Sequence, residues 1–113
     1  MSDCLFCRIV AGEIPATVVA ANETAVAFRD IDPQAPTHVL VIPRRHHDDV
    51  VAMLDADPSD AGAVLALAAE VAALEGLADG HRWVFNTGPD GGQAVAHVHL
   101  HVLGGRRLAW PPG

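Results

Sequence analysis

The segment His97-Val98-His99-Leu100-His101-Val102-Leu103 alternates imidazole with aliphatic side chains, and that alternation fits one regular conformation. Helical rotation would scatter the three histidines, whereas successive side chains of a strand point to opposite faces. The pattern therefore predicts a strand over Val95 to Leu103, stopped by Gly104-Gly105, with His97, His99 and His101 on one face. At roughly 3.3 Å rise per residue their Cα atoms are about 7 Å apart. Val98, Leu100 and Val102 bury the opposite face. Three imidazoles in a row on an anchored strand are costly unless each finds a partner.

The remaining punctuation places the other elements. Cys4 to Ala11 reads as a short helix stopped at Gly12. Thr17–Ala20 and Ala25–Arg29 read as a hairpin around Asn22-Glu23. Asp32 to Pro36 holds two prolines and reads as a loop, and His38–Ile42 is a continuous apolar strand ended by Pro43. Asp48 or Asp49 caps a short helix carrying Val50, Val51, Met53 and Leu54. Asp57-Pro58 opens the main helix, in which Val64, Leu67, Ala68, Val71, Leu74 and Ala78 recur at helical spacing until Gly76 or Gly80. Arg82–Asn86 reads as a strand, and Thr87 to Gly92 as a turn. His81 is expected at the end of the long helix, favourably placed for its dipole. This order predicts an α+β fold in a single domain over residues 1–113, with an antiparallel sheet and one long crossover helix. With 20 alanines against five Phe and Trp, the core is expected to rest on Val, Leu and Ile with close Ala contacts.

Net charge of −7, with Arg44–Arg45 and Arg106–Arg107 the only basic doublets, disfavours nucleic acid as a partner. No charge-free apolar run approaches the roughly 20 residues of a membrane span. The start, Met1-Ser2-Asp3-Cys4, lacks the pattern of a signal peptide. A cytoplasmic protein without membrane attachment is expected.

Spacing alone leaves the histidines two uses. They could hold a structural metal. Alternatively, the central imidazole attacks a phosphorus atom while its neighbours hold the phosphate, which suits a group whose free pKa is near 6.5. Gly88-Pro89-Asp90-Gly91-Gly92-Gln93 lies just upstream, and its small residues would let backbone N–H groups approach an anion. Cys4-x-x-Cys7 has three readings: a redox dithiol, two inert thiols, or half of a tetrahedral zinc site.

Gly91 through Arg106 resembles the signature of the histidine triad (HIT) family, whose core alternates three histidines with apolar residues. Trp110-Pro111-Pro112-Gly113, Asp30-Ile31-Asp32-Pro33-Gln34-Ala35-Pro36-Thr37-His38 and Glu13-Ile14-Pro15-Ala16 resemble the Hint branch, the histidine triad nucleotide-binding proteins. The resemblance implies the HIT fold, with a mainly antiparallel sheet of about five strands and a short N-terminal helix. It also implies a homodimer and a purine nucleoside phosphoramidase. In such an enzyme the central histidine attacks the α-phosphorus of a purine nucleoside monophosphate derivative, expels an amine, and passes the nucleotide to water. Carried onto this chain, the resemblance makes His99 the nucleophile, His101 a phosphate ligand and His38 a proton-relay residue. Asn86, Gly92, Gln93 and Ala94 match phosphate-site positions, and Asp30 matches a ribose-binding carboxylate. Leu5, Phe6, Ile14 and Ile31 sit where the family lines its base pocket, although ordinary core packing explains apolar residues equally well. Ala94 departs from the serine of many Hint proteins and cannot donate a hydrogen bond to a leaving group.

Some HIT relatives hold a structural zinc, which the resemblance maps to Cys4, Cys7, His46 and His97, with His47 able to replace His46. Two other functions stay open at this level. One is a purine nucleotide-binding regulatory module with little catalysis, and the other is hydrolysis of dinucleoside polyphosphates.

Overall fold

Short apolar strands broken by turn residues pair first with their neighbours in the chain, and the architecture grows outward from that pairing. A computed structural model describes residues 3–113. In chain order the elements are α1 (Leu5–Val10), β1 (Val18–Ala21), β2 (Ala25–Arg29), β3 (Thr37–Pro43), α2 (Val50–Ala56), α3 (Pro58–Leu74), β4 (His81–Phe85) and β5 (Leu100–Gly104). The Asn22 side chain accepts hydrogen bonds from the N–H groups of Thr24 and Ala25, which folds β1 onto β2. Asp49 caps α2 through the N–H of Ala52, and Asp57 caps α3 through that of Ser59. β5 inserts between β3 and β4, giving the order β1-β2-β3-β5-β4 with every neighbouring pair antiparallel.

The pleat sorts the side chains onto two faces. On one, Val64, Leu67, Ala68 and Val71 of α3 pack with Ala25, Ala27, Val39, Val41, Leu100 and Val102. Alanines at the sheet surface let the helix approach closely. On the other, Phe6 of α1 packs with Val26, Phe28, Leu40 and Ile42. β3 is buried along its whole length because both faces are covered. Leu40 pairs with His101 across β3 and β5, so the outward histidine of β5 shares the α1 face. The fold is α+β, a five-stranded antiparallel sheet with a long crossover helix and a short N-terminal one. No helix among the described residues is long and apolar enough to cross a membrane.

Three expectations need correction. The last strand starts at Leu100, not Val95, because the Val98 N–H bonds to the His47 carbonyl (2.8 Å) instead of to a sheet neighbour. Residues 97–100 are nevertheless all buried, with Val98 joining the α3 core. α3 stops at Leu74, itself exposed, so Ala78 lies beyond the helix, and Gly76, one of the two expected stops, turns the chain with φ of +70°. His81 opens β4 instead of closing the helix, and its ring stacks on Trp83.

Candidate active site and metal centre

His99 stands just before β5, 6 % exposed, with its ring edge-on to Phe6 (5.1 Å) and beside His101 (4.9 Å). Its Nδ1 is 2.8 Å from the carbonyl of His97. A carbonyl only accepts, so Nδ1 carries the hydrogen and the neutral ring keeps its lone pair on Nε2. That nitrogen has no hydrogen-bond partner among the described residues. A tautomer fixed this way supplies a nucleophile, and the same carbonyl stabilises the cation formed when Nε2 gains a bond.

A second chain of bonds fixes the neighbouring rings. The Gln34 N–H donates to His38 Nδ1 (3.0 Å), so the neutral His38 ring holds its hydrogen on Nε2. His38 Nε2 lies 2.9 Å from His101 Nδ1 and 3.4 Å from Asp30 Oδ2. His101 Nδ1 is therefore an acceptor, which puts the His101 hydrogen on Nε2. Nε2 of His101 is buried without a partner. An orphaned donor of this kind costs about 1–3 kcal/mol, which a ligand oxygen would recover. Asp30, His38 and His101 also lie close enough together to surround a cation. The Gln34 amide argues for a proton there instead, because it needs the His38 Nδ1 lone pair while a metal would displace the Nε2 hydrogen.

Burial, with the neighbouring His99 and His38 rings, lowers the pKa of His101 from 6.5 to about 4. Burial also lowers that of His38, against the pull of Asp30 and Asp32. The unfolded chain binds the His101 proton more readily than the folded one. The stability from keeping this ring neutral is thus complete above about pH 6.5 and is lost as pH falls toward 4. An imidazole NMR titration of the free protein should find His101 neutral down to about pH 4; protonation near 6.5 would contradict the buried setting.

The loop before the triad departs from its expected use. The N–H groups of Gly92 and Gln93 bond to the carbonyls of Pro89 and Gly88, so they close the turn instead of facing an anion. The N–H groups of Ala94 and Val95, just past the turn, have no hydrogen-bond partner among the described residues. Gln93 is a pin: its Oε1 accepts from Gly88 N–H, and its Nε2 donates to the carbonyls of Asp48 and Val95. Gly91 packs so tightly against Thr87 that a Cβ would sit 2.3 Å from the Thr87 oxygen. β4 pairs Phe85 with Leu100, which brings Asn86 level with His99 just beyond the ladder.

The base-pocket residues separate. Phe6 is buried against His99 and Phe28, and Ile14 is half-buried in a groove with Val10 and Val26. Leu5 is exposed, and Ile31 is fully so. Phe28 and Leu40, which the sequence reading passed over, sit in the same cluster as Phe6. Their alternation in β2 and β3 was the available signal.

The cysteines converge with two histidines. Ligand atoms of Cys4, Cys7, His46 and His97 all lie within 4.8 Å of one another. His97 Nδ1 is 3.3 Å from Cys4 Sγ and 3.5 Å from Cys7 Sγ, and His46 Nδ1 is 3.4 Å from Cys7 Sγ. A tetrahedral zinc with ordinary Zn–S and Zn–N bonds has S···N edges of about 3.6 Å, so the set fits that ion. Both rings are aimed from behind. His97 Nε2–H donates to the Pro43 carbonyl (3.0 Å), and His46 Nε2 meets Asp48 Oδ1 (2.9 Å), leaving each Nδ1 lone pair facing the thiols. Burial raises the Cys4 pKa, but hydrogen bonds from Cys7 and His46 outweigh it and the net shift is downward. His47 turns away and pairs with Asp60, which is 2 % exposed and also held by Arg45. Of the two adjacent histidines, His46 is therefore the one beside the cysteines.

Comparisons with known proteins show the family. The HIT domain family matches residues 11–108. A 14 kDa zinc-binding protein of Zea mays is 48 % identical over 115 residues, covering 99 % of this chain and 89 % of its own. The crystal structure of a HIT family hydrolase from Legionella pneumophila superposes with a TM-score of 0.94 at 51 % identity, covering 98 % of this chain and all of that one. A histidine triad nucleotide-binding protein from Candida albicans superposes with a TM-score of 0.83 at 27 % identity, over 98 % and 85 % of the two chains. On its triad, its sheet and these matches, the chain belongs to the histidine triad (HIT) family.

Proposed function

We propose that this protein is a HIT hydrolase of the Hint branch, a single domain that cleaves the P–N bond of purine nucleoside phosphoramidates. The observation that carries this reading is the pairing of two opposed tautomers. His99 offers a lone pair on Nε2, while the adjacent His101 offers an unpartnered Nε2–H. One is suited to attack phosphorus and the other to hold a phosphoryl oxygen.

In the first step the His99 Nε2 lone pair forms a bond to the α-phosphorus and the P–N bond breaks. The positive charge on the imidazole is spread onto the His97 carbonyl through Nδ1–H. The amine leaves with a proton from water or from the His101–His38 pair, since Ala94 offers only a methyl group. In the second step water attacks phosphorus, the His99–phosphorus bond breaks, and the nucleoside monophosphate leaves as the water's proton passes to solvent. The amides of Ala94 and Val95, together with Asn86, complete the phosphate site. Asp30 receives the ribose hydroxyls, and Phe6, Phe28 and Ile14 border the base. Cys4, Cys7, His46 and His97 would hold a structural zinc, and four protein ligands would leave no open position for substrate. A homodimer in the cytoplasm belongs to the same reading.

The test compares adenosine 5′-phosphoramidate with a diadenosine polyphosphate, alongside intact-mass analysis of the protein mixed with substrate. Preferential turnover of the phosphoramidate and a nucleotidyl adduct mapped to His99 are expected. AMP should raise the His101 pKa, because an anion at Nε2 favours the charged ring. Preference for the polyphosphate would reassign the enzyme, and AMP binding without turnover of either substrate would leave a binding module.

A further inference from the structure

The His38 tautomer on which His101 depends is held by a residue outside the triad. The chain after β5 doubles back over the Asp32–Pro36 loop, and two contacts bind them together. Gly105, with φ of +89°, lies so close that a Cβ would come within 2.9 Å of Pro36 Cβ. Arg106 Nη2 then donates to the Gln34 carbonyl (3.0 Å). Arg82 holds the chain further on, through the Ala109 carbonyl (2.8 Å). Gln34 is thus gripped on both sides. Its carbonyl faces Arg106, and its N–H faces His38 Nδ1. The loop's other bonds are local: Asp30 accepts from the Asp32 N–H, and the Gln34 side chain donates to the Asp32 carbonyl.

We propose that Arg106 is a positioning residue for phosphoryl transfer: by orienting Gln34 it fixes the tautomers of His38 and, through it, of His101. This rests on the phosphoramidase reading for its effect on rate, but not for its effect on the rings. If the Gln34 amide turns away, only the longer contact of Nε2 with the Asp30 carboxylate (3.4 Å) still favours hydrogen on that nitrogen. The ring can then carry its hydrogen on Nδ1 and accept at Nε2. His101 must answer by donating through Nδ1, which leaves a lone pair on its Nε2. A donor toward a phosphoryl oxygen becomes an acceptor facing it, which repels the anion it should hold. The effect passes through backbone and imidazoles, so Arg106 need not touch substrate.

The experiment uses Arg106→Ala and Arg106→Lys in the full chain, with ¹⁵N NMR of the imidazoles and steady-state turnover of adenosine 5′-phosphoramidate. In the parent protein His38 and His101 should both show hydrogen on Nε2. Arg106→Ala should mix the His38 tautomers and lower kcat/KM about tenfold, with little change in Tm because the side chain is exposed. Arg106→Lys keeps one donor in reach and should retain the parent spectrum and most of the rate. An unchanged His38 spectrum in Arg106→Ala would overturn the proposal. So would a changed spectrum with full activity, since the tautomer would then be irrelevant to the chemistry. If the parent protein fails to turn over any phosphoramidate, the functional reading falls separately, and the spectrum alone decides the role of Arg106.

Discussion

His99→Ala should lower kcat for phosphoramidate hydrolysis by about 10⁴-fold or more, the scale expected when a covalent nucleophile is removed. No adduct should form on any other residue. The fold should survive, because the change removes one side chain and leaves every backbone hydrogen bond in place. Circular dichroism and AMP binding check that survival. His101→Ala makes the informative contrast. It deletes a donor to the phosphoryl group and leaves the nucleophile, so a loss of about 10²–10³-fold is expected, the scale seen for a single oxyanion donor. Parent-like turnover in His99→Ala would remove the basis of the mechanism.

Removing metal should have the largest effect on stability. The protein as purified should contain one zinc per chain by elemental analysis. Stripping it with a chelator, or replacing Cys7 by serine, should lower Tm by about 10–20 °C, as expected if a few kcal/mol of folding energy come from the ion. The four ligands come from α1 and its N-cap, from the segment after β3, and from the segment before β5, so a bound ion would join three parts of the chain. Turnover measured well below the new Tm should change less than stability does. Complete metal loss with unaltered melting would show that the cysteine corner does not depend on an ion.

The alternating histidines and the Asp57-Pro58 cap carried most of what could be read beforehand, because each is a local signal with a single physical meaning. Period two demands extended chain, and a capping acid before proline demands a helix start. Sheet order was not local, since β5 enters between β3 and β4 only because the two helices carry β4 to the far edge. The choice between His46 and His47 was also hidden. It depends on Asp60, a buried acid in the first turn of α3 that takes His47 for itself. Gln93 reads in sequence as a phosphate-site residue, yet its amide is spent on Gly88, Asp48 and Val95. In the sequence Arg106 is half of a basic doublet that closes the HIT-like segment; only the doubling back of the chain after Gly105 brings it to Gln34.

The late start of β5 has a consequence for how the site is assembled. Had pairing run on through Val95 as the alternation suggests, the oxygen of residue 97 would have been available to a neighbouring strand. Withdrawing residues 95–99 from the sheet leaves that oxygen to serve an imidazole two residues along, while the side chain of the same residue is anchored among the thiols. A local forfeiture of β structure thus becomes a hinge-free mount, and lengthening the strand by design would be expected to blunt the very ring it was meant to steady.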